Sequence, residues 1–124
     1  MPRRRIDHKD GLLAIKACMD GPSRISQDFT TAVRYLLEEL AEVAPGNSVE
    51  VRVPPLGATQ CIAGPRHTRG TPPNVVEMAP ETWFDLATGR LAWPDAIASG
   101  LVSASGVRAT LEEVLPLRLK GIQI

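Results

Sequence analysis

The sequence predicts a single α+β domain of 124 residues, because apolar side chains recur at helical spacing in some stretches and alternate in others. A long helical pattern covers residues 26–44, and a clean alternation covers residues 49–53. Residues 77–117 combine two short helical patterns, a glycine-bounded strand and a third short helix. Helices that flank several alternating strands define the α+β class, and this length is typical of one domain.

The first part of the chain is predicted to contain two helices. Residues 1–9 are basic, and we expect this terminus to be frayed. Residues 11–19 fit a short helix, which Gly21 and Pro22 end. The longer helix over residues 26–44 has a broad apolar stripe, which is more often core than partner surface. The stripe consists of Phe29, Val33, Leu36, Leu37, Leu40 and Val43.

Alternating patterns predict strands after this helix. The three valines of residues 49–53 share one face of a strand, and residues 58–63 return from a turn to form an antiparallel hairpin with it. Residues 75–78 form another short strand. The last segment, residues 118–124, also alternates, and it is either an edge strand or a loose tail.

The stretch after the 75–78 strand carries the most specific local signals. Pro80 suits the first position of a helix, although the preceding Ala79 is a poor N-cap. Trp83 and Phe84 share one face of this helix, and Gly89 is its predicted stop.

The next elements follow closely. A second short helix is predicted over residues 94–99, with Ala96 and Ile97 facing inward. Residues 101–105 then alternate as a strand. The capping-box sequence Thr-Leu-Glu-Glu over residues 110–113 predicts a third short helix.

Composition argues against several classes of protein. The 14 basic and 14 acidic side chains balance, so the whole chain is not steered toward nucleic acid or an anionic membrane. The sequence contains no run of 18 apolar residues, so no membrane-spanning helix is predicted. No secretory signal is evident at the start. We expect a cytoplasmic protein, in which Cys18 and Cys61 are buried small hydrophobes and a disulfide between them is the less favoured alternative. We therefore expect no nucleic-acid partner and at most transient membrane contact.

No catalytic motif is evident, so we expect a non-enzymatic protein without a metal or cofactor. His8 and His67 are the two histidines, and they lack the spacing of zinc ligands with the cysteines. Ser103 and Ser105 lie on the predicted 101–105 strand, but no base is identifiable beside them.

The sharpest polar feature is a loop with Arg66, His67 and Arg69 and no acidic residue. Its two guanidinium groups and imidazole suit the capture of a carboxylate or phosphate head group. A solvated basic loop, or one that pairs with glutamates elsewhere, explains the same composition. Both interpretations stay open at this point.

Residues 89–106 resemble a known signature. The run Gly89-Arg-Leu-Ala-Trp-Pro-Asp-Ala-Ile-Ala-Ser-Gly100-Leu-Val-Ser-Ala-Ser-Gly106 resembles the C-terminal signature of the sterol carrier protein family. The resemblance extends over residues 49–117 and is strongest over residues 83–106. It implies a twisted, mostly antiparallel sheet of about five strands, with helices on one face and an acyl chain or sterol-like lipid between the layers.

The predicted function follows from this resemblance. The chain is expected to bind or transfer a small apolar ligand, fatty acyl or sterol-like, with the 66–69 loop meeting a polar head. The side chains that line the pocket, or alternatively close the core, are Trp83, Phe84, Ile97, Val102, Leu111, Val114 and Leu115.

An alternative function comes from the loop sequence. The run over residues 66–74 resembles a subset of the family related to the C-terminal domains of mycothiol-dependent, maleylpyruvate isomerase-like proteins. In those enzymes the metal site lies on a separate N-terminal helical domain, and residues 1–44 have no histidine set that would hold a metal. The alternative is therefore an accessory subunit beside a thiol-dependent enzyme, with a partner protein or a second copy covering the apolar face.

Overall fold

The computed structural model describes residues 5–20, 27–64 and 74–119. These residues form helices and strands in a mixed order, which confirms the α+β class. The elements are α1 (His8–Asp20), α2 (Gln27–Val43), β1 (Val49–Val53), β2 (Gly57–Cys61), β3 (Val75–Met78), α3 (Pro80–Ala87), α4 (Trp93–Ala98) and β4 (Val102–Ser105).

The strands form one open sheet in the order β2-β1-β3-β4. The pairs β1–β2 and β3–β4 are antiparallel, whereas β1 and β3 run parallel at the centre. The described residues thus contain four strands, fewer than the predicted five. The last segment is predicted to be either an edge strand or a loose tail, and only its first residues are described. Leu117 donates its backbone N–H to the carbonyl of Ala87 at 3.0 Å, and both Leu117 and Leu119 are buried. Residues 120–124 lie outside the described residues, so the prediction for them stays open.

The two faces of the sheet differ in chemistry. Val51 pairs with Thr59 and Val76, and Val76 pairs with Ala104, so these side chains share the face that we call the inner face. The outer face carries polar side chains, among them the ion pair of Glu50 with Arg52, and Glu77, Ser103 and Ser105. Hydrophobic burial therefore places the helices on the inner face.

Helix α2 is the main cover of this inner face. Its predicted stripe is buried except at Val43, which is 53% exposed because it is the last residue of the helix. Trp83 of α3 donates its indole N–H to the carbonyl of Val33 at 3.2 Å, and the rings of Phe29 and Phe84 lie 5.9 Å apart between centroids. These contacts join α3 to α2 within a single hydrophobic cluster.

The short helices follow the predicted local signals only in part. Helix α3 begins at Pro80 without a side-chain cap from Ala79, and its C-terminal Gly89 has φ 84°, a conformation that favours glycine. In α4, Ala96 is buried, but Ile97 is 42% exposed, so the predicted inward position of Ile97 is wrong. Successive helical residues point about 100° apart. A helix of six residues buries a narrow side, and Ile97 lies off it.

The predicted third short helix, after residue 110, is also wrong. Thr110 Oγ1 accepts the backbone N–H of Glu112 at 3.2 Å, as a capping side chain does. Val114 and Leu115 both donate to the carbonyl of Leu111 at 3.1 Å, so a single turn forms. The following proline disfavours helical backbone at the residue before it and ends the turn.

A buried asparagine, Asn74, connects β1, β3 and the turn after β4 through hydrogen bonds. Asn74 donates its side-chain amide to the carbonyl of Ser48 at 2.8 Å and accepts the backbone N–H of Arg108 at 2.8 Å. The Asn74 carbonyl also accepts the N–H of Glu50 at 2.9 Å. One side chain thereby ties β1, β3 and the turn after β4 together.

Replacement of Asn74 by alanine is expected to lower the free energy of unfolding by about 2 kcal/mol, because it leaves buried backbone groups without partners. Urea denaturation followed by tryptophan fluorescence measures this loss. Asn47→Ala is the matched control: Asn47 is exposed, and its replacement should change stability by no more than about 0.5 kcal/mol. Equal stabilities of the two variants would contradict the role given to Asn74.

Candidate apolar ligand site

The inner face of the sheet is buried at its centre and exposed at the β4 edge. Val51 of β1 and Val76 of β3 are fully buried, and Met78 is nearly so. Val102 and Ala104 of β4 continue the same face, since they pair with Met78 and Val76. Yet Val102 is only half-buried and Ala104 is exposed. The cover of the inner face therefore ends at β4.

Helix α4 adds apolar surface beside this edge. Ile97 is 42% exposed and Leu101 is 46% exposed, and the backbone N–H of Leu101 is bonded to the carbonyl of Ala96 at 3.0 Å. We call the surface formed by Ile97, Leu101, Val102 and Ala104 the β4 opening. Residues 96–107 contain no charged side chain. Several exposed apolar side chains in an uncharged segment are a feature of interaction or ligand sites.

The predicted pocket residues lie at different depths around the β4 opening. Trp83, Phe84 and Leu111 are fully buried in the hydrophobic cluster. Val102, Val114 and Leu115 are partly buried and pack against that cluster. Ile97 lies at the surface. Six of the seven side chains thus belong to or border one apolar region, and their contact with a ligand stays a prediction.

The predicted anion-binding loop lies outside the described residues. Arg66, His67 and Arg69 all fall within residues 65–73. Their role toward a head group therefore stays a prediction.

Among the residues that the structure describes, the polar groups near the sheet have no arrangement that indicates catalysis. Ser103 and Ser105 lie on the solvent-facing outer face. Cys18 and Cys61 are buried free thiols, and burial raises the pKa of Cys61 from 9.0 to about 12, which disfavours the reactive thiolate. Within residues 5–20, 27–64 and 74–119, no group of three or more His, Cys, Asp or Glu side chains is placed to hold a metal ion.

The sequence prediction missed two residues of the β4 opening, Leu101 and Ala104. Alternation assigned Ala104 to the same face as Val102 but gave no sign that this face is uncovered. The signal that was present is the absence of charge over residues 96–107, which is unusual for a solvated surface.

The fold, an open mixed sheet with helices on one face, is consistent with a sterol-carrier-like α+β protein. A family model described as bacterial SCP ortholog matches residues 25–117, more than half of the chain. The chain therefore belongs to this bacterial family of sterol-carrier-like proteins. No curated protein matches the chain.

The family match agrees with the resemblance over residues 49–117 and extends it to α2. It does not distinguish the subset related to mycothiol-dependent isomerases, so that finer assignment stays a prediction. Among the described helices, none combines the length and the apolar character needed to cross a membrane.

Proposed function

We propose that the protein binds and transfers a lipid-like apolar ligand, whose tail enters at the β4 opening and lies between the inner face of the sheet and the short helices. The observation that carries the proposal is the difference along one face: Val76 is fully buried, and its neighbour Ala104 is exposed. Membership of a sterol-carrier-like family supports an apolar ligand.

The proposed path of the tail follows the burial of the apolar side chains. Ile97 and Val102 meet it first at the surface, and the half-buried Val114 and Leu115 meet it next. Each methylene removed from water contributes about 0.8 kcal/mol, so a long acyl chain offsets the loss of freedom on binding.

The deepest predicted contacts require movement. Trp83, Phe84 and Leu111 are fully buried, so a tail reaches them only when α4 or the turn at residues 110–116 moves away from the core. These elements are short, and we propose that they are the part of the cover that opens most readily. A polar head would stay at the mouth, where we propose that Arg66, His67 and Arg69 meet it.

We propose a non-enzymatic role in the cytoplasm. Sterol-carrier-like proteins are generally non-catalytic. The raised pKa of Cys61 makes that thiol a poor nucleophile, and two free thiols suit a reducing compartment.

Native mass spectrometry of the purified protein, followed by extraction and mass analysis, tests the proposal. A stoichiometric lipid or apolar metabolite is the expected result. A clean mass of the free protein, without binding of an added fluorescent fatty acid, would overturn it. Self-association or a co-purified chain in that case would favour the interaction-subunit alternative.

A charge on the inner face of β4 should weaken ligand binding. Ala104→Asp is expected to weaken binding of the fluorescent fatty acid at least about tenfold, because the carboxylate would lose water against the tail. Ser105→Asp is the matched control, with the same charge on the outer face of the same strand. Circular dichroism verifies that both variants fold, and equal affinities would place the ligand elsewhere.

A further inference from the structure

A groove of about 1020 Å³ lies at the opposite edge of the sheet from the β4 opening. Its walls are the segment before α1, helix α2 and the turn between β1 and β2. We call it the β2 groove; its lining includes Arg5, Ile6, Arg34, Leu37, Leu56 and Gly57. Sites for small molecules usually measure about 300–1,000 Å³, so its size suits a small ligand.

The floor of the β2 groove is apolar. Ile6 and Leu56 pack against the hydrophobic cluster, and Leu37 belongs to it. Gly57 leaves the floor open, because a Cβ at this position would lie 3.3 Å from Leu37 Cδ1. A methyl group there would occupy part of the groove.

The rim of the β2 groove carries two arginines. Arg34 donates from Nε to the carbonyl of Leu56 at 2.9 Å, which holds its side chain along the wall. Neither Arg34 nor Arg5 forms an ion pair with a carboxylate in residues 5–20, 27–64 and 74–119. Their terminal guanidinium N–H groups are therefore donors available to an anion.

Among the described lining residues, the one carboxylate, Glu38, has a structural role. The two oxygens of Glu38 accept the backbone N–H groups of Arg5 at 3.1 Å and Ile6 at 3.2 Å. Glu38 thereby anchors the wall that brings Arg5 to the groove. Among the described lining residues, two arginines and one glutamate give a net positive charge.

A neighbouring groove has the opposite character. It shares Arg5 and Ile6 with the β2 groove but is lined by Asp7, Asp10 and Asp28. An anion is repelled there and favoured at the Arg34 end of the β2 groove.

We propose that the β2 groove binds a small amphipathic carboxylate. The guanidinium groups of Arg34 and Arg5 receive the carboxylate through charge-assisted hydrogen bonds, and Leu37 and Leu56 contact the apolar tail. This second site lies away from the β4 opening and does not depend on the function proposed for it.

Octanoate is the probe, and its binding is measured by calorimetry and by the chemical shifts of backbone amides. We expect changes in the amide chemical shifts of α2 and β2. Binding of octanoate should be at least about tenfold weaker in Arg34→Gln, which lacks the positive charge and the paired N–H donors of the guanidinium group. Arg118→Gln removes an exposed arginine outside the groove lining and should bind octanoate as the natural chain does.

Two further measurements separate shape and charge. Gly57→Ala should weaken octanoate binding without any change of charge, and octanol should bind far more weakly than octanoate.

Ala104→Asp should leave octanoate binding at the β2 groove unchanged, so failure of one site is distinguishable from failure of the other. Shift changes confined to α4 and β4, equal affinity in Arg34→Gln, or no binding at millimolar octanoate would each overturn the proposal.

Discussion

Replacement of Gly46 by alanine is expected to lower the free energy of unfolding by about 3–5 kcal/mol, the sum of backbone strain and overpacking. Gly46 has φ 146°, a conformation that side-chain-bearing residues rarely adopt. A Cβ at this position would lie 2.2 Å from both the carbonyl carbon and the oxygen of Ile62. The clash is with backbone, so no side-chain rotation relieves it.

Ile62 cannot retreat, because its peptide groups are hydrogen-bonded on both sides. Its N–H donates to the carbonyl of Ala44 at 2.7 Å, and its carbonyl accepts from the backbone N–H of Ser48 at 3.0 Å and from the Ser48 hydroxyl at 2.7 Å. Moving Ile62 would break the connection between the end of α2 and the β1–β2 hairpin.

Gly100→Ala is the control for the Gly46 prediction. Gly100 also has positive φ, 72°, but nothing lies within 4 Å of the added Cβ. Its replacement should cost about 1–2 kcal/mol from backbone strain alone. Chemical denaturation of both variants measures the difference, and a similar loss in each would show that the contact with Ile62 is unimportant.

Gly11→Ala is expected to lower the free energy of unfolding by about 2 kcal/mol, although replacing glycine by alanine within a helix ordinarily raises it. Glycine in a helix is ordinarily less favourable than alanine by about 0.5–1 kcal/mol. Here the added Cβ would lie 2.2–2.6 Å from three ring atoms of Tyr35. Overpacking of a filled site costs up to about 3 kcal/mol and exceeds the gain in propensity.

Tyr35 has little freedom to move away from this methyl group. Its ring is 2% exposed, and its hydroxyl is hydrogen-bonded to His8 Nδ1 at 2.8 Å. Ala17→Gly, at an exposed position of α1, provides the comparison: there alanine should be the more stable residue by about 1 kcal/mol. Denaturation midpoints that rank alanine above glycine at both positions would contradict the close approach of α1 and α2.

Elements with signals in their own residues were predictable from sequence. Pro80 and Gly89 act through their own backbone preferences, and α3 lies between them. The alternating valines of β1 gave both the bounds of that strand and its buried face. The parallel pairing of β1 with β3 was not predictable, because alternation identifies a face but not a neighbour distant in the chain.

The misses have a common physical cause, which is tertiary contact. A six-residue helix has too few positions to define a face, so periodicity misplaced Ile97. Alternation around Leu117 and Leu119 indicated that these side chains share one side of the chain. It did not indicate that this side packs on the core beside α3. The exposure of Ala104 likewise depends on where the helices stop, which no local pattern records.

The parallel β1–β3 pair joins two contiguous parts of the chain, each with its own antiparallel strand pair. Residues 8–61 supply α1, α2, β1 and β2, and residues 75–105 supply β3, α3, α4 and β4. We expect amide exchange to be slow in the first part and in β3, which lies inside the sheet, and faster in α4 and the edge strand β4. A ligand that enters at β4 then needs only a local opening of α4 or of the turn at residues 110–116, while the rest of the sheet and the long helix α2 stay folded.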